Sequence, residues 1–300
     1  DFPTLSQALA SPEEEHWRDA LKTEIETLQK MSTWTLVTRE SVKLKGRKVL
    51  PMTWASRIER KPDGTAHKFK ARWCVRGDKQ VFGEDYWQSF SPVCQWSSVR
   101  LMLIMSIVHN LHTRQVDYVN AFAQAELDKE IYVELPQGFQ HMNDVDCVFK
   151  LNKSLHGMRD APVHFFNLLK SNLELAGFEQ MKCIDPCLFV HDKAMCVTYV
   201  DDCLWFGLDE EALDALIADV GKKMELTVES KDVSAFLGIQ FSRDGDTIEM
   251  KQLGLIDKVL KATGMEECNP TSTPAENKTL GKDANGAPFN ETWNYQSVIG

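Results

Sequence analysis

The run Met195-Cys196-Val197-Thr198-Tyr199-Val200-Asp201-Asp202-Cys203-Leu204-Trp205-Phe206 decides how this chain reads. Apolar and β-branched residues lead into two adjacent acids and out again, the pattern of two strands joined by a tight turn. Neighbouring carboxylates at a hairpin tip repel one another and are a poor choice for stability unless a cation neutralises them. Asp is also a favoured turn residue, so the pair by itself fits a plain turn. The chemistry that needs the pair is phosphoryl transfer, in which two Mg²⁺ ions about 4 Å apart activate a primer hydroxyl and hold the departing pyrophosphate. A third acid from another strand completes such a cage, and Asp117 in Gln115-Val116-Asp117-Tyr118 ends a second apolar run.

Working outward, Ser11-Pro12-Glu13-Glu14 has a capping-box layout with Pro at the first helical position, and Trp17, Leu21, Ile25 and Leu28 share one helical face. Residues 34–80 alternate apolar and charged positions around Pro62-Asp63-Gly64, which predicts an antiparallel, basic hairpin. Ser97 to Asn110 reads as a buried helix, Thr113 to Phe122 as a strand entering a turn, and Pro162 as the start of a helix through Phe165, Leu169 and Leu173. A helix with Leu213, Ile217 and Val220 inward follows the acidic hairpin. Then come strands around Thr227 and from Phe236 to Phe241, and a hairpin turning at Asp244-Gly245-Asp246. Strands interspersed with helices imply an α+β sheet domain. Past Gly264 the composition reads as loop or linker, and the chain, starting without Met and stopping at Gly300, reads as an excised segment.

With 300 residues and 43% hydrophobic content the chain can bury a substantial core. No apolar run approaches the ~20 residues that span a bilayer, and the first residues do not resemble a signal peptide, so a soluble intracellular setting is expected. The eight cysteines show no paired metal spacing and read as reduced core residues; Cys183 and Cys187 lack two further ligands nearby. A net charge of −10 argues against a nucleic-acid partner only until its distribution is considered. Between Arg39 and Lys79 basic residues outnumber acidic ones by nine, which is either a solvated face or a phosphate-binding one.

Several segments, in order, resemble the reverse transcriptases of copia-type LTR retrotransposons. Lys68-Phe69-Lys70-Ala71-Arg72 is similar to their basic fingers motif, and Phe90-Ser91-Pro92-Val93 with Ser98-Val99-Arg100 to the segment after it. Val116-Asp117-Tyr118-Val119-Asn120-Ala121-Phe122 resembles the first acidic motif, and Tyr199-Val200-Asp201-Asp202 the catalytic hairpin. Lys153-Ser154-Leu155-His156-Gly157-Met158-Arg159-Asp160-Ala161-Pro162 is similar to the glycine motif, although His156 and Asp160 replace a usual Tyr and Gln. Phe236-Leu237-Gly238-Ile239 resembles the primer grip. Any one of these is weak, and the ordered set is specific. Leu135-Pro136-Gln137-Gly138-Phe139 also resembles a retroviral substrate motif, but it lies too close to Asp117, and Gln137 is read as structural.

The resemblance implies a right-hand polymerase fold. Its parts would be an N-terminal helical segment over 1–35, fingers over 36–110, and a palm over 111–242 with a fingers insertion near 124–156. Residues 243–300 would begin a thumb or connection and a linker toward RNase H. It implies catalytic and metal-binding roles for Asp117, Asp201 and Asp202, with two Mg²⁺ ions or Mn²⁺ in their place. Lys70, Arg72, Tyr118, Phe122, Gly157 and Arg159 would bind the nucleotide, Phe122 as a steric gate against a ribose 2′-hydroxyl and Gly157 passing under the nascent base pair. Leu237 and Gly238 would form the primer grip. Partners would be an RNA template, a DNA or tRNA primer, dNTPs, and polyprotein neighbours with integrase upstream and RNase H downstream, in a cytoplasmic virus-like particle.

Two other readings compete with RNA-directed DNA polymerase. A catalytically inactive remnant serving as an RNA-binding or assembly module is favoured by the changes at 156 and 160 and opposed by the intact acidic triad. A metal-dependent nuclease such as RNase H is opposed by Tyr-Val-Asp-Asp and by the absence of a fourth acid in a suitable context.

Overall fold

The computed structural model describes residues 2–60, 65–136, 146–231 and 233–272. Its helices are α1 (Leu5–Leu9), α2 (Glu14–Lys30), α3 (Arg39–Leu44), α4 (Trp96–Val108), α5 (Ala121–Gln124), α6 (Ala161–Leu175), α7 (Glu210–Gly221) and α8 (Leu253–Thr263). The strands through the first acidic motif are β1 (Trp34–Thr38), β2 (Val49–Leu50), β3 (Met52–Arg60), β4 (Ala66–Val75) and β5 (His112–Tyr118). There follow β6 (Glu126–Val133), β7 (Cys147–Lys153), β8 (Glu179–Gln180), β9 (Leu188–His191), β10 (Ala194–Tyr199), β11 (Asp202–Gly207) and β12 (Leu226–Ser230). The last three are β13 (Ala235–Phe236), β14 (Ile239–Asp244) and β15 (Thr247–Lys251). Mostly antiparallel sheets mixed with helices give the α+β class implied by the sequence. The chain divides into two compact units, Asp1–Asp232 and Val233–Gly300.

The first unit is organised on a six-stranded sheet of order β12-β5-β11-β10-β9-β8. Strand alternation sends Val116, Tyr118, Cys196, Cys203 and Trp205 to one face, where they bury against Phe165, Leu169 and Leu173 of α6 and Leu213, Ile217 and Val220 of α7. Each fully buried aliphatic or aromatic side chain there contributes about 1.5–3 kcal/mol. α7 is capped by Asp209, whose carboxylate accepts from Ala212 N at 2.7 Å. Arg114 of β5 is buried and clamps α7, its guanidinium donating to Asp214 at 2.8 Å and to Glu210 at 2.7 Å. It also donates to the Lys231 carbonyl at 3.2 Å, so β5 is tied to the end of β12 as well.

A second sheet, β1-β7-β6-β2, and the two-stranded β3–β4 hairpin share a core of Leu28, Trp73, Val75, Phe149 and Leu151. α2 lays Trp17, Leu21, Ile25 and Leu28 onto it, the face its periodicity predicts. In the second unit, β13–β14–β15 form a small sheet, followed by the amphipathic α8, which ends at Gly264 in the left-handed conformation that glycine permits.

Several expectations are corrected. Residues 34–80 are not one hairpin: β1 pairs with β7, β2 runs parallel to β6, and α3 intervenes, because each finds a neighbour distant in sequence. The β3–β4 hairpin itself is present and antiparallel, its expected turn at 62–64 lying outside the described residues. Ser11 does not cap α2, whose N-cap Glu13 makes no side-chain bond; the capping box belongs to Thr4 and Gln7 of α1. α4 is buried on one face only, with Leu101, Ile104 and Val108 exposed. Phe236 to Phe241 is not one strand, since Leu237 and Gly238 form a turn between β13 and β14. Not all cysteines are core residues either, as Cys183 and Cys268 are exposed; all eight are free.

Candidate active site

β5 and β11 are antiparallel neighbours in the register Asp117↔Asp202. β10 and β11 close with Tyr199↔Asp202, leaving Val200 and Asp201 as the whole turn. Two acids far apart in sequence are thereby set side by side, with the third beside them at the tip. The apolar face of the sheet goes to α6 and α7, so alternation turns Asp117 and Asp202 to the opposite face. Val200 takes φ 56, a left-handed conformation that a β-branched residue rarely adopts and that costs about 1–3 kcal/mol. Stored strain of this kind concentrates at functional sites, and here it sits on the residue before the acidic pair.

The acids disturb one another. Burial raises the Asp202 pKa first, and the charges of Asp201, Asp117 and Glu229 add to it, bringing it to about 6. Asp117 is also raised, by burial and then by Asp201 and Glu229, while Lys70 and Arg72 pull it down. Glu229 is the fourth acid that sequence reading missed. It sits at the irregularity in β12, where the pairing with β5 slips between Val228 and Ser230. Such a bulge re-aims a side chain in a way periodicity does not reveal.

Among the described residues, no set of three or more His, Cys, Asp or Glu side chains is drawn close enough to hold an ion as it stands. The donor set still fits a hard divalent ion, because it consists of carboxylate oxygens, and the raised pKa values of Asp117 and Asp202 mark a site where negative charge is crowded.

Four of the eight other predicted residues, Lys70, Arg72, Phe122 and Gly157, are linked to this centre. β4 carries Lys70 and Arg72, whose charges reach both Asp117 and His156. Lys70 Nζ also lies 3.6 Å from Glu59. Phe122, on α5 just after β5, meets the His156 ring edge-on at 4.9 Å. Burial, then Arg72 and Lys70, lowers the His156 pKa to about 4, so this imidazole is neutral at physiological pH.

Gly157 has φ 85, and a Cβ there would run into the Val75 carbonyl oxygen. Its missing side chain is therefore demanded by β4, which also bonds to the preceding residue through Val75 N–H to His156 O at 2.8 Å. Gly77, which sequence reading overlooked, faces the same contact from the other side, since a Cβ there would meet the Gly157 carbonyl oxygen.

Four other predicted residues have different surroundings. The Tyr118 ring is buried in the core, edge-on to Phe165 at 5.5 Å, because it alternates with Asp117 along β5, so its side chain does not reach the site. Arg159 is held by backbone, donating from Nε to Gly77 O at 2.9 Å, and its guanidinium lies 5.7 Å from the Tyr86 ring centroid. Leu237 and Gly238 belong to the second unit, where both take positive φ, 50 and 77, in the two-residue turn between β13 and β14. Gln137 lies outside the described residues.

The Asp160 carboxylate is turned inward and paired. It is buried and accepts from Lys129 Nζ at 2.9 Å, with His164 Nε2 at 3.0 Å. Burial opposes its ionisation, but the bonds from His164 and Lys129 outweigh that and hold its pKa below the ordinary value.

Residues 31–277 match the family described as reverse transcriptase (RNA-dependent DNA polymerase). The chain belongs to that family. It is 30% identical over 285 residues to the retrovirus-related Pol polyprotein from transposon TNT 1-94 of Nicotiana tabacum, covering 90% of this chain and 20% of that protein. The Pol polyprotein from transposon RE2 of Arabidopsis thaliana is 28% identical over 98% of this chain and 20% of its own length. The Ty1-ER2 Gag-Pol polyprotein of Saccharomyces cerevisiae is 26% identical over 72% of this chain and 12% of its own length. These relatives bear out the copia-type resemblance, and the chain spans about a fifth or less of their length. Among solved structures, a foamy viral protease-reverse transcriptase in complex with double-stranded DNA aligns with a TM-score of 0.43 at 16% identity, covering 81% of this chain and 36% of that one. Among the described residues no helix is long and apolar enough to cross a membrane.

Proposed function

We propose that this chain is the polymerase core of a copia-type retrotransposon polyprotein and copies RNA into DNA by nucleotidyl transfer to a primer 3′-hydroxyl. The observation that carries the reading is the pairing of Asp117 with Asp202 across β5 and β11, with Asp201 at the adjoining turn and the charges of Lys70 and Arg72 within reach. Asp117, Asp201 and Asp202 would hold two Mg²⁺ ions, with Mn²⁺ as a substitute; when bound, these ions offset charge on the primer oxygen and on the phosphate oxygens. The primer hydroxyl gives up its proton to solvent and its oxygen bonds to the α-phosphorus as the bond to pyrophosphate breaks, pyrophosphate leaving with the electron pair. Lys70 and Arg72 hold the triphosphate and offset the charge developing on it.

Phe122, backed by His156, takes the role of a gate against the ribose 2′-hydroxyl. The β3–β4 hairpin serves as fingers, the six-stranded sheet as palm, the Leu237-Gly238 turn as primer grip, and the chain from 243 as the start of a thumb. The partners in this reading are an RNA template, a DNA or tRNA primer, and neighbouring integrase and RNase H domains within a cytoplasmic particle. Primer extension on poly(rA)/oligo(dT) with Mg²⁺ tests it, against an Asp201→Asn, Asp202→Asn double variant. Extension that the double change abolishes supports the reading. A folded chain that binds primer-template and extends nothing sinks it in favour of a non-catalytic remnant.

A further inference from the structure

The helix α2 lies before residue 31, where the family match begins, yet it reaches the hairpin that carries Lys70 and Arg72. Among the described residues β4 has a sheet partner on one side only, β3. Two of the backbone amides on its outer edge are taken by other elements. Val75 N–H is taken by the His156 carbonyl at 2.8 Å, and Trp73 N–H by the Glu24 carboxylate of α2 at 3.1 Å. An unsatisfied amide on a part-buried strand edge costs about 1–3 kcal/mol, so Glu24 stands in for a missing third strand. The Trp73 side chain is buried in the core beside Ile25 and Leu28, which fixes the edge against the helix. Trp73 directly follows Arg72, and Glu24 also lines an open cavity of about 840 Å³ with Lys70, Ala71, Val119 and Asn120, the last two following Asp117 in the chain.

A carboxylate beside two cations that hold a triphosphate is electrostatically counterproductive unless its position is needed. Burial raises the pKa of Glu24, so its charge is held there at a cost. Resting on the reverse-transcriptase reading, we propose that Glu24 is a positioning residue for nucleotide binding: its bond to Trp73 sets the outer edge of β4 and thereby the reach of Lys70 and Arg72. The oxygen at the end of a four-atom arm is what matters, not the charge.

Two conservative variants of the full chain separate reach from charge. Glu24→Gln keeps the arm and an acceptor and loses the charge; Glu24→Asp keeps the charge and shortens the arm. Steady-state primer extension is read as KM for dNTP and kcat separately, with thermal unfolding alongside. Glu24→Asp is expected to raise KM for dNTP about fivefold, the equivalent of one lost hydrogen bond, with kcat nearly unchanged. Glu24→Gln is expected to keep the unaltered KM. The proposal is overturned if Glu24→Asp leaves KM untouched, if Glu24→Gln changes KM more than Glu24→Asp does, or if kcat and Tm fall together while KM stays. An unaltered chain that extends no primer refutes the polymerase reading instead, so the two failures are distinct.

Discussion

Replacing Asp202 by Asn is expected to stabilise the protein without divalent cation while abolishing primer extension. Burial and the charges of Asp201, Asp117 and Glu229 lift the Asp202 pKa from 3.8 to about 6. Roughly two pKa units correspond to just under about 3 kcal/mol at full strength. The carboxylate is only partly buried, so solvent screening reduces this to roughly 1–1.5 kcal/mol. The penalty is absent at low pH, where folded and unfolded chains are both protonated. It grows as pH rises from about 4, where the unfolded carboxyl ionises, to about 6, where the folded one does, and is fully present above that. Asn removes it, so in EDTA at about pH 7.5 Asp202→Asn should melt about 3–5 °C above the unaltered chain, given about 2–4 °C per kcal/mol for a unit of this size. At about pH 4 the difference should vanish. Added Mg²⁺ should raise the Tm of the unaltered chain and close the gap, because binding to the folded state alone is stabilising. Differential scanning fluorimetry over pH, with and without Mg²⁺, reads all of this. A variant that melts at or below the unaltered chain in EDTA at neutral pH would refute the account of a site held in electrostatic tension.

Three further outcomes follow from single contacts. Phe122→Ala removes the ring that His156 supports, and the ratio of kcat/KM for ribonucleotides over deoxynucleotides should rise about tenfold or more in single-nucleotide incorporation. Gly157→Ala places a Cβ against the Val75 carbonyl at φ 85 and should cost at least about 2 kcal/mol in urea unfolding, with extension lost alongside. Asp160→Ala leaves Lys129 and His164 without their buried acceptor and should cost about 2–4 kcal/mol at neutral pH. Because the Asp160 pKa is lowered in the fold, its stabilisation is present above the ordinary carboxylate range and lost as pH falls, so variant and unaltered chain should converge in acid; a constant gap would contradict the ion-pair assignment.

Local pattern carries far in this chain. The faces of α2, α6 and α7 were readable because helical spacing places Trp17, Leu21 and Ile25, or Leu213 and Ile217, on one side whatever they pack against. The acidic hairpin was readable because β-branched runs and a two-residue turn are short-range features. The membership in the reverse transcriptase family was readable from an ordered set of motifs, each too weak to stand alone.

What the sequence left undecided depends on contacts between distant segments. No local signal pairs β1 with β7 or β2 with β6. Burial on one strand face sends the Tyr118 ring to the core while its neighbour Asp117 faces the site. A slip in β12 brings in Glu229, and Asp160 finds Lys129 across the fold. Glu24, one polar residue on an amphipathic helix, becomes a backbone acceptor only once β4 lies beside it. Composition, period and motif order therefore determined the class of protein and its three acids, since these are properties of the chain itself. Which groups shift those acids, shape their surroundings and brace the basic hairpin was settled by tertiary structure, because charge, burial and hydrogen-bond partnership are properties of neighbours in space.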